Sequence, residues 1–191
     1  MIRDGRRGRS SALAVLSVLV LALATQAPVF AEDKGVIVLV PGLTGSKLRN
    51  PETGQVIWGN GKNLLFPRDG GYSLAVPIDR DPPARLEAFD VVRAISLGFF
   101  RRKFYGPVLT LFEKGGRTVG SLLDPKPSDD FLTFPYDWRL DLVSSAQELG
   151  DILELLRLER GQETLQVSLI CQSFGASVCR YFAKYGGLAL E

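Results

Sequence analysis

Cys171-Gln172-Ser173-Phe174-Gly175 directly follows the apolar run Leu165 to Ile170 and precedes a stretch of helical character. A serine on a sharp turn between a buried strand and a helix has its Oγ held out of the turn, and small flanking residues let the backbone bend there. Such a hydroxyl is a weak nucleophile at its ordinary pKa and needs a neighbouring base. The 191-residue sequence contains no histidine, and only residues 176–191 follow the turn. In serine enzymes built on this kind of turn the acid and the histidine come after the serine in chain order. The expectation is therefore the front half of an acyl-transferring serine enzyme, with Ser173 as nucleophile and with the acid and base on strands beyond these residues.

A second group of residues fits the same chemistry. The β-branched and leucine run Val36 to Val40 ends at Pro41-Gly42 and continues as Leu43-Thr44-Gly45-Ser46-Lys47-Leu48. In α/β-hydrolases the oxyanion hole takes one N–H from the residue after the nucleophile and one from a loop that follows an earlier strand. Here those positions are Phe174 and Leu43. Donors already aimed at the developing oxyanion lower the barrier by about 3 kcal/mol each.

The elements that must carry these residues alternate. Val36 to Val40 reads as a buried parallel strand. Phe104 to Lys114 has helical apolar spacing and stops at Gly115-Gly116, and Thr118 to Leu122 then forms a strand ended by Asp124-Pro125. Leu140 to Arg160 is the longest predicted helix, with Leu142, Ala146, Leu149, Ile152, Leu153 and Leu156 on one stripe. The expected fold is α/β and α/β-hydrolase-like: a parallel central sheet with helices on both faces, incomplete on its C-terminal side. Val36 to Val40 is expected between Thr118 to Leu122 and Leu165 to Ile170. The stretch Asn50 to Asp90 breaks the rhythm. Its turn residues, Trp58-Gly59-Asn60-Gly61, Asp69-Gly70-Gly71 and Asp81-Pro82-Pro83 among them, exclude a long element. Its recurring apolar residues, from Leu64 to Ile78, point to a cap or a membrane-facing flap packed on the core.

Residues 1–31 read as an export signal: Arg3, Arg6, Arg7 and Arg9, an apolar core from Ala12 to Ala24, and Val29-Phe30-Ala31 as the cleavage site. The apolar core is shorter than a membrane span requires. Cleavage after Ala31 makes residues 32–191 the mature domain and the protein an exported one, secreted, periplasmic or in the cell envelope. The signal carries four arginines and Asp4, a net +3; subtracting this from the whole-chain +2 leaves −1. That balance, with no basic stripe, argues against nucleic-acid binding. Arg101-Arg102-Lys103 is the one tight basic cluster. Beside Phe99-Phe100 and Phe104 it fits an anionic membrane surface or a solvated helix start, and the helix start is the commoner meaning. Cys171 and Cys179 are too few for a disulfide framework, and Cys179 is expected too far from Cys171 for a bridge, so both read as small core residues. Without histidine a closed zinc site lacks ligands, so no metal and no cofactor is expected.

Three blocks resemble the lecithin:cholesterol acyltransferase-like family of α/β-hydrolases. They are Val40-Pro41-Gly42-Leu43-Thr44-Gly45-Ser46-Lys47-Leu48, Phe134-Pro135-Tyr136-Asp137-Trp138-Arg139, and Ser168-Leu169-Ile170-Cys171-Gln172-Ser173-Phe174-Gly175. The middle block is the most specific. The resemblance covers roughly Val36 to Tyr185. It implies an acyl-enzyme on Ser173, oxyanion donation from the backbones of Leu43 and Phe174, a phospholipid or other lipid ester as substrate, and a membrane-facing part within Asn50 to Asp90. Two departures accompany it. Gln172 stands where the family usually has His, and the family's acid and histidine have no matching positions. Asp137 and Arg139 read as structural, near a helix start. The alternative to an acyltransferase or lipase of lipid metabolism is a catalytically inactive remnant or fragment of one.

Overall fold

The structure is a computed structural model, and it describes residues 35–67, 69–76 and 84–186. The expected signal, with its cleavage site, lies outside the described residues, as do Ile78 and Asp81-Pro82-Pro83 of the insertion.

A parallel sheet of four strands, mixed with helices, forms the centre. Its members are β1 (Val36–Val40), β7 (Val119–Ser121), β8 (Phe131–Thr133) and β9 (Val167–Cys171), in the order β7-β8-β1-β9. β1 and β8 are the most buried of them, and β1 is covered on both faces. Val36, Val38 and Val40 belong to a cluster with Leu149 and Leu153 of one helix (Leu142–Glu159) and Val178 of another (Phe174–Tyr181). Leu39, on the other face, joins Leu109 and Phe112 of a third helix, Gly106–Lys114. Alternation along a strand is what sends neighbouring side chains to opposite layers.

The order corrects one expectation. Thr118 to Leu122 does not lie against Val36 to Val40: β7 sits one place further out, and β8 occupies the position between. β8 is three residues long and follows the turn-rich Asp124-Pro125-Lys126-Pro127, so no periodicity announces it. Val36 to Val40 and the strand before Ser173 are parallel neighbours as expected, Val40 opposite Cys171.

The insertion holds no long element among its described residues, yet it is not shapeless. β2 (Ser46–Arg49) pairs antiparallel with both β3 (Val56–Trp58) and β4 (Glu87–Val91) in a sheet of three strands. A short helix, α1 (Gly61–Leu65), is capped by the Asn60 side chain, which accepts from the Asn63 N–H, and a 3-10 turn spans Tyr72–Leu74. Trp58 and Leu74 pack on the main core, while Leu65, Phe66 and Tyr72 stay exposed. Arg101-Arg102-Lys103 is not a helix start. These residues lie in β6 (Phe100–Lys103), which pairs with β5 (Ala94–Leu97) across a turn at Gly98-Phe99. The helices are α1, α2 (Gly106–Lys114), α3 (Leu142–Glu159) and α4 (Phe174–Tyr181), followed by a π-helical turn at Phe182–Gly186.

A second correction concerns the cysteines. Cys171 and Cys179 form a disulfide, with a Cα–Cα distance of 6.5 Å. Cys179 lies five positions after Phe174 in α4, a rise of about 7.5 Å, and the helix runs back beside the strand end instead of away from it. The bridge closes a loop around Ser173.

Candidate functional site

Ser173 is the hinge between β9 and α4. Its backbone sits at φ 53 and ψ −122, one of two non-glycine residues with positive φ among the described residues. An L-residue held there costs on the order of 1–3 kcal/mol, so the surroundings must over-determine the turn. They do so in three ways. The Gln172 N–H donates to the Val40 carbonyl at 3.1 Å, tying the turn to the end of β1. The Gly175 and Ala176 N–H groups donate to the Gln172 and Ser173 carbonyls at 2.9 Å each. Gly175 lets the helix start press on β1: a Cβ at that position would stand 2.4 Å from the Pro41 oxygen and 2.6 Å from the Val40 oxygen. The consequence is a serine that is exposed and has no hydrogen-bond partner for its hydroxyl among the described residues.

The loop leaving β1 reaches the same place. β1 and β9 are parallel and in register to their ends, so Pro41 to Ser46 and Ser173 share one edge of the sheet. Gly42 packs on the serine turn: a Cβ there would lie 3.0 Å from the Ser173 Cβ. Leu43 follows, 52% exposed, and Phe174 is half-buried at the first turn of α4. Among the described residues neither the Leu43 nor the Phe174 N–H is engaged by a protein acceptor. The three residues singled out by sequence, Leu43, Ser173 and Phe174, therefore occupy adjoining turns at one end of the sheet. An N–H at a helix N-terminus and an N–H in a tight loop are the kinds of donor that stabilise negative charge.

The loop is clamped by aromatic and hydroxyl groups. Tyr136 Oη donates to the Pro41 carbonyl at 2.8 Å, the Tyr136 N–H donates to Ser46 Oγ at 3.0 Å, and Trp138 Nε1 donates to the Ser46 carbonyl at 3.2 Å. From the insertion, Trp58 Nε1 donates to the Thr44 carbonyl at 2.9 Å. Burial, with the nearby Tyr105 second, pushes the Tyr136 phenol well above its ordinary range, so it stays a donor. Below this clamp lies a buried ion pair. Arg139 Nε and Nη2 donate to the two oxygens of Asp137 at 2.9 and 2.6 Å, with the Arg139 side chain fully buried. Arg139 Nη1 also donates to the Ser73 carbonyl at 2.6 Å, so one guanidinium joins the block to the 3-10 turn of the insertion. The structural reading of Asp137 and Arg139 agrees with this geometry.

One residue of the site escaped sequence reasoning. Tyr105, beside α2, accepts from the Gly42 N–H at 2.9 Å and donates to Gln172 Oε1 at 2.7 Å. It thus fastens the β1 loop to the residue before Ser173. Burial raises its pKa, partly offset by the Gly42 N–H, which favours the phenolate. No local signal marks a tyrosine 67 positions from its partner.

No known family model matches the chain, and no curated protein matches it. The resemblance noted above rests on its short blocks alone.

Among the described residues no group of three or more His, Cys, Asp or Glu side chains is placed to hold a metal ion. A cavity of about 240 Å³ lined by Asn50, Ile57, Asn63, Asp69 and Ser73 belongs to the insertion and shares no residue with the serine turn. What the site offers chemically is an exposed hydroxyl on a strained turn beside unengaged backbone donors, without a base among the described residues near it.

Proposed function

We propose that Ser173 is the nucleophile of an α/β-hydrolase-like, lecithin:cholesterol acyltransferase-like enzyme that works on lipid esters through an acyl-serine intermediate. The observation that carries this reading is the Ser173 backbone at φ 53, ψ −122 on a strand-to-helix turn, abutted by the Gly42 loop. In the proposed reaction Ser173 Oγ attacks the ester carbonyl as a base takes its proton. The Leu43 and Phe174 N–H groups donate to the resulting oxyanion, and the intermediate collapses with loss of the alcohol. An acceptor alcohol or water then takes the acyl group. The sequence holds no histidine, so the base and its orienting acid are proposed to come from residues outside these 191.

The reading extends to location: residues 1–31 act as an export signal, and the mature protein starts at Glu32. N-terminal sequencing of exported material checks this, and an intact Met1 would remove it.

The activity test extends the chain through the coding sequence that follows it and measures hydrolysis of a p-nitrophenyl ester. The extended protein should turn over the ester, and Ser173→Ala should lower kcat on the order of a thousandfold or more. The chain ending at Glu191 should be inactive. An extended protein that keeps its rate after Ser173→Ala would overturn the assignment. The lack of histidine favours a second reading, an inactive remnant that keeps the turn without the chemistry. An inactive extended protein with no downstream histidine would select it.

A further inference from the structure

The hairpin β5–β6 carries features that the serine turn does not use. Its strands pair with each other and with no other strand among the described residues. Its base is tied down by the Arg93 carbonyl, which accepts from the Phe104 and Gly106 N–H groups at 2.9 and 3.1 Å. Its tip is apolar: Phe99 is 98% exposed and Phe100 74% exposed, beside Gly98 at φ 59. All four residues of β6 are exposed. The first strand of the hairpin is seated, with Ile95 buried and Ser96 against Gly61 of α1, so the unusual feature is the pair of adjacent solvated phenyl rings at its tip.

Cations follow that tip along β6. Arg101 and Lys103 line a groove of about 510 Å³ against α2, together with Arg93 and Lys114. Leu111, 68% exposed, lies in the same groove. Arg101, Arg102, Lys103 and Lys114 make no ion pair with a described residue. Aromatic residues at the hairpin tip followed by the unpaired Arg101, Arg102 and Lys103 match the layering of an anionic bilayer. Rings enter the acyl boundary, and long cationic side chains reach phosphates at headgroup depth. A second copy of the chain fits poorly, since pairing the same face would set unpaired cations against one another.

We propose that the β5–β6 hairpin and the adjoining face of α2 form a docking surface for an anionic lipid bilayer, with Phe99 and Phe100 inserted and Arg101, Arg102 and Lys103 on the headgroups. The surface is independent of the chemistry at Ser173.

The test uses the full chain carrying Phe99→Trp, read against the unsubstituted chain to subtract Trp58 and Trp138. The substitution falls on a fully solvated side chain, so the fold is retained. The added indole should shift to the blue and be quenched by brominated acyl chains on phosphatidylglycerol-containing vesicles, and much less on phosphatidylcholine alone. Changing Arg101, Arg102 and Lys103 together to glutamine should weaken the partitioning that this signal reads by on the order of a hundredfold, with circular dichroism unchanged. Added salt should weaken it too. Ser173→Ala should leave all of this unaltered, so failure here and failure of the proposed acyl transfer are told apart. An unquenched indole on vesicle-bound protein would overturn the proposal, as would partitioning insensitive to the glutamine changes. Concentration-dependent dimers that vanish on Phe99→Ser would overturn it in favour of self-association.

Discussion

The exits of β1 and β9 lie side by side, yet they are fixed by different means. The β1 exit is held from outside. Tyr136, Trp138, Trp58 and Tyr105 each reach it from distant parts of the chain and bond to the loop's backbone. The β9 exit is held mainly from within. The Cys171–Cys179 bridge closes it, and contact distance between Gly175 and the Val40 and Pro41 carbonyls sets its shape. The difference has a physical reason. A loop with free N–H groups has no repeating hydrogen-bond ladder and must borrow partners, whereas a strand-to-helix turn gains bonds from the helix it begins. A reactive geometry shared between them needs both: one half pre-organised by tertiary contacts, the other by local covalent and steric constraint.

Perturbing each half separately sharpens this contrast. The largest effect should come from Arg139→Ala, which leaves the Asp137 carboxyl buried without its partner. Urea unfolding should show a loss of about 3–5 kcal/mol, and replacing both residues by apolar ones of similar size should restore much of it. A double variant no better than the single would mean that the Ser73 contact, not the ion pair, carries the cost. Reducing the disulfide should come next. Closing a loop of this length is worth about 2.5 kcal/mol in the chain-entropy account, read as a lower urea midpoint with reductant present and no change in Cys171→Ala/Cys179→Ala.

Gly175→Ala should cost about 1–3 kcal/mol, because a Cβ at 2.4 Å from a carbonyl oxygen forces the helix start off the sheet. Under the proposed function it should lower kcat more than its stability loss alone would. An unchanged melting temperature would show that the close approach is dispensable. The smallest effect belongs to Tyr105→Phe, about 1 kcal/mol for the lost hydroxyl bonds. Its sign with pH is fixed by the raised folded-state pKa. Stability from the neutral phenol is present below the unfolded value near 10 and is lost as pH rises through the folded one. The difference between wild type and variant should thus stay flat from about pH 6 to 9 and shrink above. A difference that instead grew at high pH would refute the assignment of Tyr105 as a donor to Gln172.

Much of this was legible in the sequence where one local rule dominated. β1 is a continuous apolar run, α3 carries a clear stripe, and Ser173 stands where a strand pattern gives way to a helical one. Legibility failed where the deciding contact was distant or the element too short. β8 is only three residues, and its pairing with β1 is parallel, so no turn connects them. The β5–β6 hairpin was masked by Arg101-Arg102-Lys103 running into Phe104 and the α2 pattern, with Gly98 the sole turn signal. The cysteine spacing misled because about two helical turns beyond Ser173 reads as too far for a bridge, whereas the helix folds back along the strand end. Tyr105 is visible only once the topology places it between two exits.

That last arrangement bears on how this chain can vary. Tyr105 and Gln172 complete each other: the phenol has an acceptor only while residue 172 offers an oxygen, and the amide is steadied only while residue 105 offers a hydroxyl. Changing Gln172 alone takes away the phenol's acceptor, and changing Tyr105 also takes the acceptor of the Gly42 N–H, so a joint exchange fits where the new pair again partners Gly42. Positions 105 and 172 should therefore drift as a pair, and descendants that place another residue before the serine should also have replaced the tyrosine.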